Sequence, residues 1–144
     1  MRAEARVDLD RLSFNINLLK NLSGTALMAV VKADAYGHGL VRVAEAALSA
    51  GADYLGVALL EEAVALREAG IKAPIIAWLA QPGSDFAQAI ELDIELAVAS
   101  KLALSEIAAV STAKKARIHL EVDSGMTRGG FLGEWDSLTS EDLA

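Results

Sequence analysis

The sequence contains no cysteine, and this absence removes several classes of site. Disulfide-bonded scaffolds, zinc sites with thiolate ligands and cysteine nucleophiles are all excluded. A chain without cysteine is compatible with a reducing compartment, and we expect a cytoplasmic location. Long apolar runs are also missing, since none approaches the roughly 18 residues of a membrane span. The first residues are not followed by the apolar core of a signal peptide, so we expect no membrane partner.

Positive charge is scarce as well. Thirteen Lys and Arg residues are outnumbered by twenty Asp and Glu residues, which gives a formal net charge of -7. A positive field strengthens binding to nucleic acid and to anionic membrane surfaces, so we expect neither kind of partner. The 144 residues are 53% hydrophobic and 23% charged. This composition is typical of a globular protein with a core.

What the sequence does contain is a regular alternation of short apolar segments with amphipathic ones. The apolar segments predict five strands, at residues 26–31, 54–58, 74–78, 94–98 and 117–122. The apolar spacing of the other segments predicts helices over 8–23, 40–50, 61–69, about 84–92 and from residue 100. This rhythm is typical of α/β proteins with a parallel sheet.

Two architectures fit this rhythm, an open doubly wound sheet and a (β/α)8 TIM-type barrel. No G-x-G-x-x-G motif follows the first strand, so a dinucleotide-binding sheet gains no support. A TIM-type barrel usually takes about 250 residues, so this chain would contain about its first five βα units, an incomplete barrel. Residues 139–144 resemble a helix start, with a hydroxyl cap and an acidic first turn. We therefore expect that the chain is cut short.

The first candidate site residues follow the first strand. Active sites of both architectures lie at the carboxyl ends of strands, and Lys32 occupies such a position. A lysine amine can form a Schiff base with a carbonyl group, including the aldehyde of pyridoxal 5′-phosphate (PLP). The alternative is a lysine that extends its charge to solvent. Tyr36, four residues on, could bond a phosphate or could simply pack as an aromatic side chain.

A second group of polar residues lies on and after the fifth strand. If strand alternation holds, His119, Glu121 and Asp123 share one face. Arg128 follows within reach and could pair with Glu121 or Asp123. Two aligned carboxylates could also serve acid/base hydrolysis or bind a metal. Because no further His or carboxylate spacing supports these two roles, we expect no metal.

Two segments resemble the barrel-type, PLP-dependent alanine racemase family. AVVKADAYGHG at residues 29–39 matches the family signature around its PLP lysine, and DSGMTR at 123–128 is similar to a second family motif. Weaker similarity extends through the whole chain, including ARVDLDRLSFNINLL near the start and YLGVALLEEAVALREAGIKAPIIAW in the middle. The resemblance favours the nucleophilic interpretation of Lys32.

The resemblance implies an isomerase that interconverts L-alanine and D-alanine and supplies D-alanine for peptidoglycan. Lys32 would carry PLP as the internal aldimine and act as one of two Cα bases. Tyr36 would bond the cofactor phosphate, Arg128 the phenolic oxygen of PLP, and the Met126 backbone amide the substrate carboxylate. Many relatives have a lysine, modified to a negatively charged carbamate, at the position of Glu121. We expect Glu121 to supply that charge and to orient Arg128.

The resemblance places residues 1–144 in the N-terminal part of the PLP-binding barrel domain. The family's C-terminal β domain, which brings a tyrosine base into the site of the partner subunit, has no counterpart in this sequence. We therefore expect the full-length protein to be a homodimer and the isolated 144-residue chain to be inactive. A barrel-type racemase for another amino acid, a non-catalytic PLP-binding protein and a pseudo-enzyme remain alternatives.

Overall fold

The computed structural model describes residues 3–139, and its centre is a single parallel sheet of five strands. The strands are β1 (Met28–Val30), β2 (Tyr54–Val57), β3 (Ile75–Ala77), β4 (Ile94–Val98) and β5 (Ile118–Leu120). The helices are α1 (Leu9–Ser23), α2 (Lys32–Gly37), α3 (Leu40–Ser49), α4 (Leu60–Glu68), α5 (Phe86–Glu91) and α6 (Lys101–Ala108), and a 3-10 turn, η1, covers Trp135–Ser137.

The strand order distinguishes between the two predicted architectures. The strands are neighbours in chain order, β1-β2-β3-β4-β5, and every pair is parallel. A doubly wound sheet reverses its order at a switch point, and no reversal occurs among these five strands. The sheet is therefore an incomplete barrel of βα units, as the sequence predicts.

Polar caps explain where several helices begin. Asp8, Asp85 and Ser100 precede α1, α5 and α6, and each side chain accepts a hydrogen bond from the backbone N–H three residues on. Gly24 ends α1 with a φ of 62°, the left-handed C-cap that glycine favours. None of the described helices is long and apolar enough to cross a bilayer. The helix start predicted at 139–144 lies, apart from Thr139, outside the described residues.

The two faces of the sheet differ in what covers them. The face toward the helices carries six fully buried side chains, Leu55, Val57, Ile75, Ala77, Leu96 and Val98. The opposite face, called the inner face below, carries Val30, Gly56, Ile76 and Glu95 side by side in register. Val30 is 54% exposed on this face. In a closed barrel the inner face lines the interior.

A polar cluster around the buried side chain of Glu95 occupies the inner face toward the amino ends of the strands. Glu95 is only 3% exposed, and its carboxylate lies 2.6 Å from His119 Nε2 and 3.0 Å from Arg117 Nη2. The Tyr54 hydroxyl donates to the same carboxylate. Burial, and then the Glu95 charge, raises the pKa of Tyr54. His119, predicted to share a face with Glu121 and Asp123, thus belongs to this cluster and satisfies a buried charge.

Candidate functional site

A cavity of about 380 Å³ opens at the carboxyl end of the sheet, where the sequence predicts the site. Lys32, Glu121 and Arg128 all line it, although they come from the loops after β1 and β5. A larger groove of about 660 Å³ lies between α4 and α5, and no lysine or arginine lines it. The smaller cavity is therefore the candidate site, because it gathers a nucleophilic amine, a guanidinium and a carboxylate.

Lys32 lies against an aromatic ring in this cavity. Its Nζ is 5.7 Å from the centroid of the Trp78 ring, within the range of a cation–π contact. A Cβ on Gly56 would approach Trp78 Cζ3 to 2.8 Å, so glycine on β2 leaves the space that the ring occupies. Trp78 is the last residue of the third predicted strand, 74–78, and was not predicted as a site residue. Its position at the carboxyl end of that strand was a usable signal.

The backbone after Lys32 takes an unusual form. Ala33, Asp34, Ala35 and Tyr36 have φ between 49° and 54°, so α2 is a left-handed turn built from residues that are not glycine. L-residues rarely adopt this region because Cβ crowds the following carbonyl oxygen. The turn persists through hydrogen bonds such as that from Ala35 N to Val31 O, at 2.9 Å. The sequence pattern did not predict it.

The loop that carries Arg128 is closed at its base. Beyond β5, Phe131 N donates to Glu121 O at 2.7 Å, and Asp123 N donates to Phe131 O at 3.2 Å. Gly130 lies inside this closure with a φ of 97°, and a Cβ there would approach Asp123 N to 2.5 Å. Only glycine fits that approach. Phe131 is buried, and its ring makes an edge-on contact with the Trp135 ring, with the two ring centroids 6.2 Å apart.

Asp123 organises the interior of the same loop. Its Oδ1 accepts hydrogen bonds from Gly125 N at 2.8 Å and Thr127 N at 3.0 Å. These N–H donors, Thr127 first, hold the pKa of Asp123 below its usual value, and the Met126 N–H contributes in the same direction.

Glu121 and Arg128 line the same cavity without touching. Within residues 3–139, no hydrogen bond or ion pair joins them. The Glu121 carboxylate instead lies against Gly129, where a Cβ would be 3.1 Å from Oε1. The charge-assisted bond that we expected between Glu121 and Arg128 is therefore not formed here, and the two groups remain neighbours across the cavity.

Two predicted site residues lie away from the cavity wall. Tyr36 is 76% exposed and Met126 is 72% exposed, and neither lines the cavity. The left-handed turn sets the direction of Tyr36, and the loop tip sets that of Met126. Among the described residues, no group of three or more His, Asp or Glu side chains could hold a metal ion.

Comparison with known sequences gives a consistent result. The family model described as "Alanine racemase, N-terminal domain" matches residues 7–141. An alanine racemase of Thermobifida fusca is 51% identical over 132 residues, which cover 90% of this chain and 35% of that protein. The chain therefore spans just over a third of the length of this relative.

Solved structures agree with the sequence comparison. The alanine racemase of Corynebacterium glutamicum superposes with a TM-score of 0.86 at 40% identity, covering 92% of this chain and 39% of that one. The alanine racemase of a D-cycloserine-producing Streptomyces lavendulae gives a TM-score of 0.85 at 42% identity, covering 94% of this chain and 38% of the other.

Proposed function

The chain belongs to the alanine racemase family, and from this membership we propose that it forms part of a PLP-dependent enzyme that interconverts L-alanine and D-alanine. The D-alanine would be available for peptidoglycan. The observation that carries the proposal is the meeting of Lys32 and Arg128 in one cavity although they lie far apart in the sequence.

The side chains of the cavity fit PLP. The Lys32 amine is the group that can bond an aldehyde. The Arg128 guanidinium can donate to an anionic oxygen, and the Trp78 ring, already beside the amine, can contact a flat heterocycle. The chemistry that PLP supplies when bound is withdrawal of electrons from the substrate Cα. These contacts support PLP as the cofactor.

The proton transfer and the binding of substrate and cofactor would then fall to residues of this chain. Lys32 would move a proton at the substrate Cα, on the side of the cavity where its amine lies. Glu121 would keep the neighbourhood of Arg128 negative and so hold the guanidinium in the cavity. Met126 N–H would bind the substrate carboxylate, as the family resemblance implies. Tyr36, exposed here, would bond the cofactor phosphate from the rim of the site.

The proposal also concerns the rest of the barrel. We propose that residues 1–144 are the N-terminal part of the PLP-binding domain, followed in the whole protein by further strands and a C-terminal β domain. Two observations support this: the chain covers 35% of its Thermobifida fusca relative, and Met28 and Val30 on the outer strand β1 are 41% and 54% exposed. As the family resemblance implies, the whole protein would be a cytoplasmic homodimer.

Racemisation by the protein expressed from the complete open reading frame tests this function. We expect PLP-dependent exchange between L-alanine and D-alanine, measured by chiral chromatography. Lys32→Ala should lower kcat by about 100-fold or more, because general acid–base catalysis by one group contributes on that scale. Lys72→Ala is the matched control, since Lys72 precedes β3 at the opposite end of the sheet, and it should retain full activity.

Two results would contradict the assignment. Racemisation of a different amino acid in preference to alanine would favour a related racemase. PLP binding at Lys32 without racemisation of any amino acid would favour a non-catalytic PLP-binding protein.

A further inference from the structure

The left-handed turn after Lys32 needs support from outside itself. Four consecutive residues from Ala33 to Tyr36 have positive φ, and such a run persists only where surrounding contacts determine it. The turn begins immediately after Lys32. A loss of that support would therefore move the residue that carries the proposed chemistry.

One side chain outside the turn reaches its first amide. Glu62 Oε1 accepts a hydrogen bond from Ala33 N at 2.5 Å. The other oxygen, Oε2, accepts from Ala58 N and Leu59 N, each at 3.0 Å, in the loop that joins β2 to α4. A single carboxylate thus ties the loop after β1 to the loop after β2. Hydrogen bonds from N–H groups to an ionised carboxylate are among the stronger ones in proteins.

Helix capping accounts for only part of this arrangement. Glu62 occupies the third position of α4, where a glutamate commonly bonds the backbone N–H of the N-cap, here Leu59. That role uses one oxygen and does not require the bond to Ala33. Glu61 provides the comparison: it lies in the same first turn and is exposed, and within the described residues it makes no hydrogen bond or ion pair.

We propose that Glu62 is a positioning residue for Lys32. Lys32 lies between two anchored amides: Val31 N donates to Gly56 O at 2.9 Å on one side, and Ala33 N donates to Glu62 on the other. The first bond extends the sheet, and the second holds the left-handed turn. Together they fix the Lys32 backbone, so that the amine enters the cavity beside Trp78. The catalytic part of this inference rests on the proposed function.

The variant Glu62→Gln separates positioning from capping. Glutamine also serves at the third position of a capping box, but its amide group has a single acceptor oxygen, so the cap and Ala33 can no longer both be satisfied. Glu61→Gln makes the same chemical change one residue away and is the matched control. Both variants are made in the protein from the complete open reading frame.

The first measurement needs no cofactor. Hydrogen exchange by mass spectrometry follows the amides of residues 33–37 in the absence of PLP. We expect about tenfold faster exchange in Glu62→Gln than in Glu61→Gln, because the turn opens locally when its first amide loses its acceptor. The melting temperature should change by only a few degrees, since the helix cap can persist.

The second measurement uses PLP as the probe. The dissociation constant of PLP, read from its visible absorbance with the protein, should rise about tenfold in Glu62→Gln, and kcat should fall by up to about 100-fold with little change in KM. Adding Ala33→Gly should recover part of both losses, because glycine adopts a φ near 54° without steric strain. This double variant also keeps the test valid if Glu62→Gln alone folds poorly.

The outcomes separate this inference from the proposed function. Equal exchange in Glu62→Gln and Glu61→Gln would overturn the positioning role, whatever the enzyme does. Faster exchange with unchanged PLP binding and unchanged kcat would also overturn it, since the turn would then not position Lys32. If the unsubstituted protein does not bind PLP at all, the proposed function fails, and the exchange result still decides whether Glu62 holds the turn.

Discussion

Each of the two loops around the cavity is held in its shape by one carboxylate side chain. Glu62 bonds the backbone after Lys32, and Asp123 bonds the backbone before Arg128. Neither carboxylate is paired with a lysine or arginine among the described residues; each accepts from backbone N–H groups instead. A carboxylate that accepts hydrogen bonds from backbone N–H groups fixes the geometry of a loop. No long lysine or arginine side chain has to lose its conformational freedom for this.

Asp123 provides a pH-dependent prediction at this scale. Its folded-state pKa lies below the unfolded value of about 3.9, so its contribution to loop stability is present above that value. The contribution is lost as the pH falls through the lower, folded-state pKa. We expect an NMR titration to give Asp123 a pKa below those of aspartates in unfolded peptides.

A pair of variants accompanies this titration. Asp123→Ala should weaken PLP binding several-fold, because the loop that positions Arg128 loses the hydrogen bonds that Gly125 N and Thr127 N donate to this carboxylate. Ser124→Ala, at the exposed neighbouring position, should leave PLP binding unchanged. An Asp123 that titrates at or above the ordinary value would contradict the described loop.

Residue identities around the cavity were more predictable from the sequence than side-chain directions. Lys32, Glu121 and Arg128 line one cavity, because their positions after strands place them at one edge of a parallel sheet. Tyr36 is exposed, since its direction depends on four positive φ values that nothing in the apolar pattern encodes. Trp78 was missed as a site residue because an aromatic at a strand end is more often part of the core.

The elements follow the sequence pattern closely, with one physically informative exception. All five predicted strands are present, and β1, β3 and β5 are shorter than predicted, at three residues each. β1 ends at Val30 because the chain enters the left-handed turn soon afterwards. The turn has no signature in Ala-Asp-Ala-Tyr, whose residues all prefer negative φ. Its conformation is imposed by tertiary contacts, Glu62 among them, and sequence periodicity does not report such contacts.

Packing between neighbouring strands gives a prediction at the scale of the element. Gly56→Ala would bring a Cβ to 2.8 Å from Trp78 Cζ3 and 2.9 Å from Met28 Sδ. We expect a stability loss of about 1–3 kcal/mol, the usual cost of overpacking, a shifted tryptophan emission spectrum and weaker PLP binding. Chemical denaturation and fluorescence measure the first two effects, and absorbance measures the third.

A second background isolates the contact with Trp78. Met28→Ala removes the other close neighbour of Gly56. If Trp78 is the side chain that must move, then Gly56→Ala should still shift the emission spectrum in the Met28→Ala protein. An unchanged spectrum in both backgrounds would show that the ring does not occupy the space left by Gly56.

At the scale of the whole molecule, the sheet separates two polar regions. Toward the amino ends of the strands, Glu95 is buried and satisfied by Tyr54, Arg117 and His119. At the carboxyl end, Lys32 and Arg128 line an open cavity, and within residues 3–139 neither of their side chains makes a hydrogen bond or an ion pair. A buried charge whose hydrogen bonds are all made within the protein belongs to the fold. A cationic side chain whose N–H donors make no such bond is suited to bind an anionic ligand.

The strand order made this separation predictable in outline. Consecutive parallel strands place every following loop at the same edge, so alternation alone predicted where the site lies. The polar cluster was not predicted, because Glu95 and Tyr54 lie on different strands and strand periodicity does not identify cross-strand partners.

We propose that Lys32 is the residue of this chain that bonds PLP. The most direct test is to add PLP to the protein from the complete open reading frame, reduce the mixture with borohydride and map the labelled lysines by mass spectrometry. The sequence contains six lysines. We predict the label on the peptide that contains Lys32, with the other five unlabelled and no visible absorbance from bound PLP in Lys32→Ala. Label distributed over several lysines, or equal absorbance in Lys32→Ala, would contradict the account.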